Sequence, residues 1–291
     1  LLIVRNMSNS AQPKAAIILG ENQEEKIYPP SIRKKLDTLC SVIVDPTSAG
    51  EMESQADKLR EIEFLFSGWG APSLDHKTLK MMPNLKAVFY GAGSLKSTVT
   101  DDFWGYNIPI CSAWAANAIP VAEFTFAQII LGLKQILRFP DLMRSERDRA
   151  WPEAFHLSGA FGNSVGIISL GQIGMRVVDF LKQLDVHILA YDPFFSKEKA
   201  RDLGIELVAL DDLFFRCRVV SLHAPWLKET ENMITGKHLD SMQTGATFIN
   251  TARGAIVNQS EMETVLSERQ DLTAVIDVTH PEPAPPESTL Y

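Results

Sequence analysis

From Ala15 onward, short runs rich in β-branched and aromatic residues alternate with helix-length amphipathic segments, and this alternation restricts the fold more than any other feature of the chain. A strand, a helix and a second strand in succession read as a βαβ unit, so the pattern predicts parallel sheets covered by helices. In the first half the predicted strands are 15–19, 41–44, 64–67, 87–90 and 108–111, with helices over 31–39, 53–62 and 73–82. In the second half the strands are 165–170, 187–191, 206–208, 219–222, 247–250 and 274–278. Residues 118–137 carry a long helical pattern between the halves, with Pro120 suited to a helix first turn. Residues 138–164 mix prolines, charges and Trp151, and are expected to be a surface excursion. The expected fold class is α/β, with two doubly wound parallel-sheet domains over residues 12–118 and 119–291, a size that suits two domains with a cleft between them.

Composition removes several classes of function. With 28 basic and 36 acidic residues and no block of like charge, the chain offers nothing to nucleic acid or an anionic membrane. Cys40, Cys111 and Cys217 are odd in number and far apart, so neither a zinc site nor a disulfide framework is expected; they read as packing residues of a cytoplasmic protein. No run is expected to span a membrane, because 121–137 is interrupted by Glu123, Gln128 and Lys134. The polar stretch 6–14 lacks a signal-peptide layout, so the first residues are expected to be a frayed end.

Chemistry enters at Val165-Gly166-Ile167-Ile168-Ser169-Leu170-Gly171-Gln172-Ile173-Gly174, an apolar strand feeding a tight turn and a helix over 175–184. Gly171 lets the backbone approach a pyrophosphate, Gly174 lets helix and strand pack closely, and the helix N-terminus at Gln172 and Ile173 supplies amide donors. Ser169 stands where the first glycine of the usual G-x-G-x-x-G turn sits, and serine reaches fewer backbone conformations. Asp192 follows about twenty residues later at the end of the next strand, where a carboxylate accepts ribose hydroxyls and repels a 2′-phosphate. The expected cofactor is NAD rather than NADP.

Together with Gly91-Ala92-Gly93-Ser94, Asn117-Ala118-Ile119-Pro120-Val121-Ala122-Glu123, Ser221-Leu222-His223-Ala224-Pro225, Asn250-Thr251-Ala252-Arg253-Gly254 and Asp277-Val278-Thr279-His280-Pro281-Glu282-Pro283, this turn makes the chain resemble the D-isomer-specific 2-hydroxyacid dehydrogenase family from about Phe64 to the end. The resemblance implies a flavodoxin-like substrate domain and a Rossmann NAD-binding domain, exchanging hydride between nicotinamide and a small 2-hydroxy or 2-oxo acid. It implies that Arg253 grips the substrate carboxylate, helped by backbone amides at Ala92 and Gly93, and that Glu282 orients a catalytic histidine. It also places His223, Ala224, Pro225, Thr251, Ala252 and Asp277 along the cofactor, and implies a homodimer formed through cofactor-domain surfaces.

The family's histidine follows its glutamate after a loop and a strand, and none lies between Glu282 and Tyr291; it is expected in a segment beyond Tyr291. His76, His156, His187 and His238 read as surface or core residues, and His280 stands where the family has an ordinary loop residue. A second function from another class stays open, a NAD(H)-sensing interaction protein of the corepressor type, since relatives of that kind share the fold and keep the same arginine and glutamate. Ser67-Gly68-Trp69-Gly70 forms a second rim loop in which Trp69 either touches substrate or packs.

Overall fold

The structure is a computed structural model that describes residues 12–147 and 159–291. The chain's first eleven residues, Trp151 and His156 lie outside the described residues. The chain divides into two compact units between Asn117 and Ala118.

The first unit is a five-stranded parallel sheet. Its strands are β1 (Lys14–Ile18), β2 (Ser41–Thr47), β3 (Phe64–Ser67), β4 (Ala87–Tyr90) and β5 (Ile110–Ser112), in the order β2-β1-β3-β4-β5. Ala15, Ala16, Ile17 and Ile18 are all fully buried, as expected of an inner strand covered on both faces. One face packs Ala16, Ile18, Leu65, Val88 and Phe103 into a core, and the other packs Ala15, Ile17, Leu19 and Tyr28. Helices α1 (Glu24–Ile27), α2 (Pro30–Leu39), α3 (Ala56–Leu59), α4 (His76–Met81) and α5 (Asp101–Trp104) connect the strands.

The second unit is a six-stranded parallel sheet. In chain order it holds β6 (Asn163–Ile168), β7 (Val186–Tyr191), β8 (Ile205–Leu207), β9 (Val219–Leu222), β10 (Thr247–Asn250) and β11 (Thr273–Ile276), arranged β11-β10-β9-β6-β7-β8. The order reverses between β6 and β9, the doubly wound arrangement whose crevice for ligands lies at that point. Its helices α8 (Gln172–Leu181), α9 (Lys197–Asp202), α10 (Leu210–Arg216), α11 (Gly236–Asp240) and α12 (Gln259–Glu268) follow the helix pair α6 (Trp114–Leu133) and α7 (Phe139–Glu146). The expected α/β class with parallel sheets is what the chain adopts.

Several local expectations are corrected. The segment 53–62 is divided into a 3₁₀ turn (Ala49–Gln55) and α3, because Ser48 and Glu51 form a capping box that starts the turn early. Helix α4 starts at His76, where the Asp75 carboxylate caps it by accepting the Thr78 amide at 2.8 Å. Pro120 is inside α6, not in its first turn; it removes the donor for the Ala116 carbonyl, on a stretch of the helix where residues 114–117 are exposed. The excursion contains α7, and Cys111 is exposed, since β5 is an edge strand. Helix α6, which begins at Trp114 and stops before Lys134, is long and apolar enough by length and composition to cross a membrane. Its Ala122, Ile129 and Leu133 nevertheless pack on Val165, Ile167 and Val178, the arrangement of a core helix.

Candidate functional site

Strand pairing aligns the functional candidates of the second unit. Ile168 is level with Tyr191 on one side and Leu222 on the other, Leu222 with Asn250, and Asn250 with Ile276. The residues that leave this row at the carboxyl ends are Asp192, Ser169, His223, Thr251 and Asp277. Register alone therefore brings five separate sequence motifs to one sheet edge.

At the centre of that edge lies the turn after β6. The Ser169 amide donates to the Tyr191 carbonyl at 2.9 Å, and Ser169 itself has φ of +75°, so a serine takes the left-handed conformation that the usual glycine would supply. Met175 makes the first helical bond, to the Gly171 carbonyl, which leaves the amides of Gln172, Ile173 and Gly174 without an acceptor inside the helix. A Cβ on Gly174 would fall 2.1 Å from the Ser169 carbonyl oxygen, whereas one on Gly171 would meet nothing within 4 Å. The first glycine is needed for packing. The second faces open space beside three free donors, a cradle suited to a pyrophosphate. Asp192 flanks it: one carboxylate oxygen accepts the Leu170 amide at 2.8 Å and the other the Phe194 amide at 2.9 Å. Each oxygen keeps a lone pair for a ribose hydroxyl.

His223, next to the turn, donates its amide to the Ile168 carbonyl, and its Nε2 is 3.0 Å from the Ser221 hydroxyl. The ring is enclosed, its Nδ1 has no partner among the described residues, and burial pushes its pKa down to about 3, so it is neutral at ordinary pH. Ala224 is buried and Pro225 exposed beside it.

The loop after β10 carries Thr251, Ala252 and Arg253. Thr251 is buried with its hydroxyl 3.1 Å from that of Thr125 on α6. Arg253 is exposed, and its guanidinium donates to the Ala252 carbonyl. A Cβ on Gly254 would lie 2.1 Å from the Thr279 carbonyl carbon, so the glycine lets the backbone around residue 279 rest on the Arg253 turn. The loop 277–282 is thereby joined to that turn, and the Asp277 amide donates to the Asn250 carbonyl at 3.0 Å. Glu282 is exposed and its side chain makes no bond among the described residues. His280 packs edge-on against Trp226 at 5.4 Å between centroids, and its amide donates to Gln259. Of the buried partners, Asn250 and Ser221 open two of the quoted motifs without a role of their own, and Thr125 carries no sequence signal; Asn250 has one further signal, as an Asn two residues before an amide that an Asx turn engages.

In the first unit, the Gly91 amide donates to the Ser67 carbonyl at 2.7 Å. The amides of Ala92 and Gly93 donate to no acceptor among the described residues, although Ala92 is buried. Trp69 is half exposed, and its carbonyl accepts the Gly20 amide at 2.8 Å. His76 bonds Tyr106, His187 is exposed, and His238 caps α11 beside Asp211.

A doubly wound parallel sheet with a glycine turn, free helix amides and an acidic strand end defines a dinucleotide-binding protein. Residues 126–291 match the family profile described as D-isomer specific 2-hydroxyacid dehydrogenase, NAD binding domain. The chain belongs to the D-isomer specific 2-hydroxyacid dehydrogenase family, and its cofactor is NAD. A glyoxylate reductase from Korarchaeum cryptofilum is 32% identical over 88% of this chain and 70% of its own length. D-3-phosphoglycerate dehydrogenase from Archaeoglobus fulgidus is 28% identical over 75% of this chain, and the match spans about two-fifths (41%) of that relative. Among solved structures, a D-isomer specific 2-hydroxyacid dehydrogenase from Lactobacillus delbrueckii ssp. bulgaricus in its NAD complexed form superposes with a TM-score of 0.75 at 22% identity, covering 95% of this chain and 82% of the other.

Proposed function

We propose that this chain is part or all of an NAD-dependent D-2-hydroxyacid dehydrogenase that reduces a small 2-oxo acid. The observation that carries the reading is the single sheet edge on which register aligns the phosphate cradle, Asp192, His223, the Arg253 loop and Asp277. The second unit, with the linking helix from residue 119, is assigned to the cofactor, and the first, residues 12–118, to the substrate. NADH supplies the hydride when bound. Gln172, Ile173 and Gly174 donate to its pyrophosphate, Asp192 accepts from its adenosine ribose, and His223 through Pro225, Thr251, Ala252 and Asp277 line its nicotinamide half. Arg253 grips the acid's carboxylate with its planar fork and polarises the ketone. The Ala92 and Gly93 amides are assigned to substrate binding. Glu282 raises the pKa of a proton-donating imidazole. His280 is not assigned that role, because its ring is engaged with Trp226.

Relatives named for phosphoglycerate and glyoxylate chemistry bracket the substrate class without choosing within it. The exposed apolar residues Ile119, Phe124 and Leu131 on α6, with Ile136 and Leu137 beyond it, support a homodimer formed through this unit. The test is NADH oxidation by the full-length protein with glyoxylate, hydroxypyruvate, phosphohydroxypyruvate and phenylpyruvate: turnover of at least one is expected, and tight NADH binding with no oxidation by any overturns the reading. NADH is expected to bind more tightly than NADPH, with Asp192→Ala narrowing the gap; equal affinities in the parent protein count against Asp192 as the selector.

A further inference from the structure

Asn250 ends β10 and is 1% exposed. Its carboxamide oxygen accepts the Ala252 amide at 3.0 Å, and its carboxamide nitrogen donates to the Arg253 carbonyl at 3.2 Å. One side chain thus closes on the backbone at both flanks of the Ala252–Arg253 peptide. Its own carbonyl accepts the Asp277 amide, so the same residue also registers the neighbouring loop. Three further constraints act nearby, the Thr125–Thr251 hydroxyl pair, the absence of a Cβ at Gly254 and a long bond of 3.4 Å from the Ile256 amide to the Arg253 carbonyl, but none of them engages the Ala252 amide.

We propose that Asn250 is the positioning residue for Arg253: by clasping the turn at the Ala252 amide and the Arg253 carbonyl, it presents the guanidinium from one fixed backbone conformation to a 2-oxo acid carboxylate. The inference rests on the reading of Arg253 as the acid-binding cation. Chemistry limits what can do this work. The turn offers one donor and one acceptor, and only a short carboxamide carries the complementary pair at this reach. Aspartate keeps the acceptor for Ala252 but sets a second oxygen against the Arg253 carbonyl, and serine is too short to reach both. A freed turn lets the planar fork miss its target, and a displacement of about 1 Å at such a site costs on the order of 10²-fold.

The experiment compares Asn250→Asp, Asn250→Ser, Arg253→Lys and the double variant Asn250→Asp/Arg253→Lys. Oxamate, an unreactive 2-oxo acid analogue, is titrated against each protein–NADH complex by fluorescence, with NADH affinity measured separately. The expected result is an oxamate affinity reduced by about 10²-fold in Asn250→Asp, NADH affinity within about twofold of the parent, and a double variant no more than about twofold weaker than Arg253→Lys alone. Losses that multiply in the double variant overturn the proposal, as does a parallel fall in NADH affinity, which marks a general structural role. Asn250→Ser carries the same comparison if the aspartate variant does not fold. If the parent protein binds NADH but no oxamate, the acid-binding reading of Arg253 fails separately, and crystal structures of parent and Asn250→Asp decide the positioning claim: an Arg253 Cα shifted by about 1 Å or more supports it, and an unmoved one refutes it.

Discussion

Both units place glycines directly after parallel strands, yet the missing side chains serve opposite ends. In the first unit, a Cβ on Gly68 or Gly91 would lie 2.3 Å from Ile27, and one on Gly70 would lie 2.3 Å from the backbone of Gly20. Those glycines let the protein approach itself. In the second unit Gly174 does the same against Ser169, but Gly171, three residues earlier, would direct its Cβ into empty space beside free amides. A glycine that the fold does not need marks room kept for something else, and a count of glycines in a loop does not separate the two cases.

Removing the packing glycines breaks the comparison most severely. Gly174→Ala is expected to cost about 3 kcal/mol of stability and to abolish NADH binding, because the clash is with backbone. Gly70→Ala, strained by its φ of +79° as well as its contacts, is expected to cost about 2–3 kcal/mol while NADH affinity stays within about twofold. Denaturant unfolding with NADH titration checks both, and a loss of cofactor affinity in the Gly70 variant breaks the division of labour.

The two edges also differ in what they bury. The His223 imidazole, folded pKa about 3, is protonated in the unfolded chain below pH 6.5 but not in the folded one, so its stability contribution is lost as pH falls through this window. The loss is roughly 3 kcal/mol at pH 4, and His223→Gln should flatten the acid limb of the stability profile. Tyr28, whose phenol donates to the Ser67 carbonyl at 2.9 Å, is raised by burial above the usual range, so it weakens the first unit as pH climbs past 10. Stability measured from pH 4 to 11, with Tyr28→Phe beside His223→Gln, assigns each limb to its unit; an acid limb unchanged in the histidine variant removes His223 from it.

Smaller effects sharpen the contrast. Gly171→Val should leave the melting temperature near that of the parent but weaken NADH by at least about tenfold, a loss of about 1.4 kcal/mol. Unchanged affinity would show that the open space is not the phosphate site. Ser169→Gly relieves a left-handed serine, about 1–2 kcal/mol, against about 0.4–1 kcal/mol of added unfolded-chain entropy, so a net gain of at most about 1 kcal/mol is expected, with little effect on NADH.

Much of this arrangement was legible in the chain. Phe64–Ser67, Ala87–Tyr90, Val219–Leu222 and Thr247–Asn250 were read with their observed bounds, since a strand of a covered parallel sheet is apolar throughout and ends abruptly at polar or glycine residues. The helix over 53–62 was misread because capping by Ser48 and Glu51 outweighed a weak periodic signal. Pro120 misled because a proline inside a helix is tolerated where the turn before it is exposed, as residues 114–117 are here, and exposure is a tertiary fact. Motifs located the Arg253 loop, but the Asn250 clasp and the Thr125–Thr251 pair depend on chain segments brought together only by folding.

The two carboxylate bonds of Asp192 have a bearing on how such a protein changes its diet of cofactors. On the role proposed for Asp192, the carboxylate that selects against a phosphorylated ribose is also the one that fastens the Leu170 amide in the turn after β6 and the Phe194 amide beyond it. Preference and architecture are therefore inherited together. A lineage, or an engineer, that exchanges Asp192 for a cation to welcome NADPH also unfastens the turn both cofactors share, so the first step toward a new preference weakens the old and the new alike. A neighbouring acceptor for the Leu170 amide has to arise first.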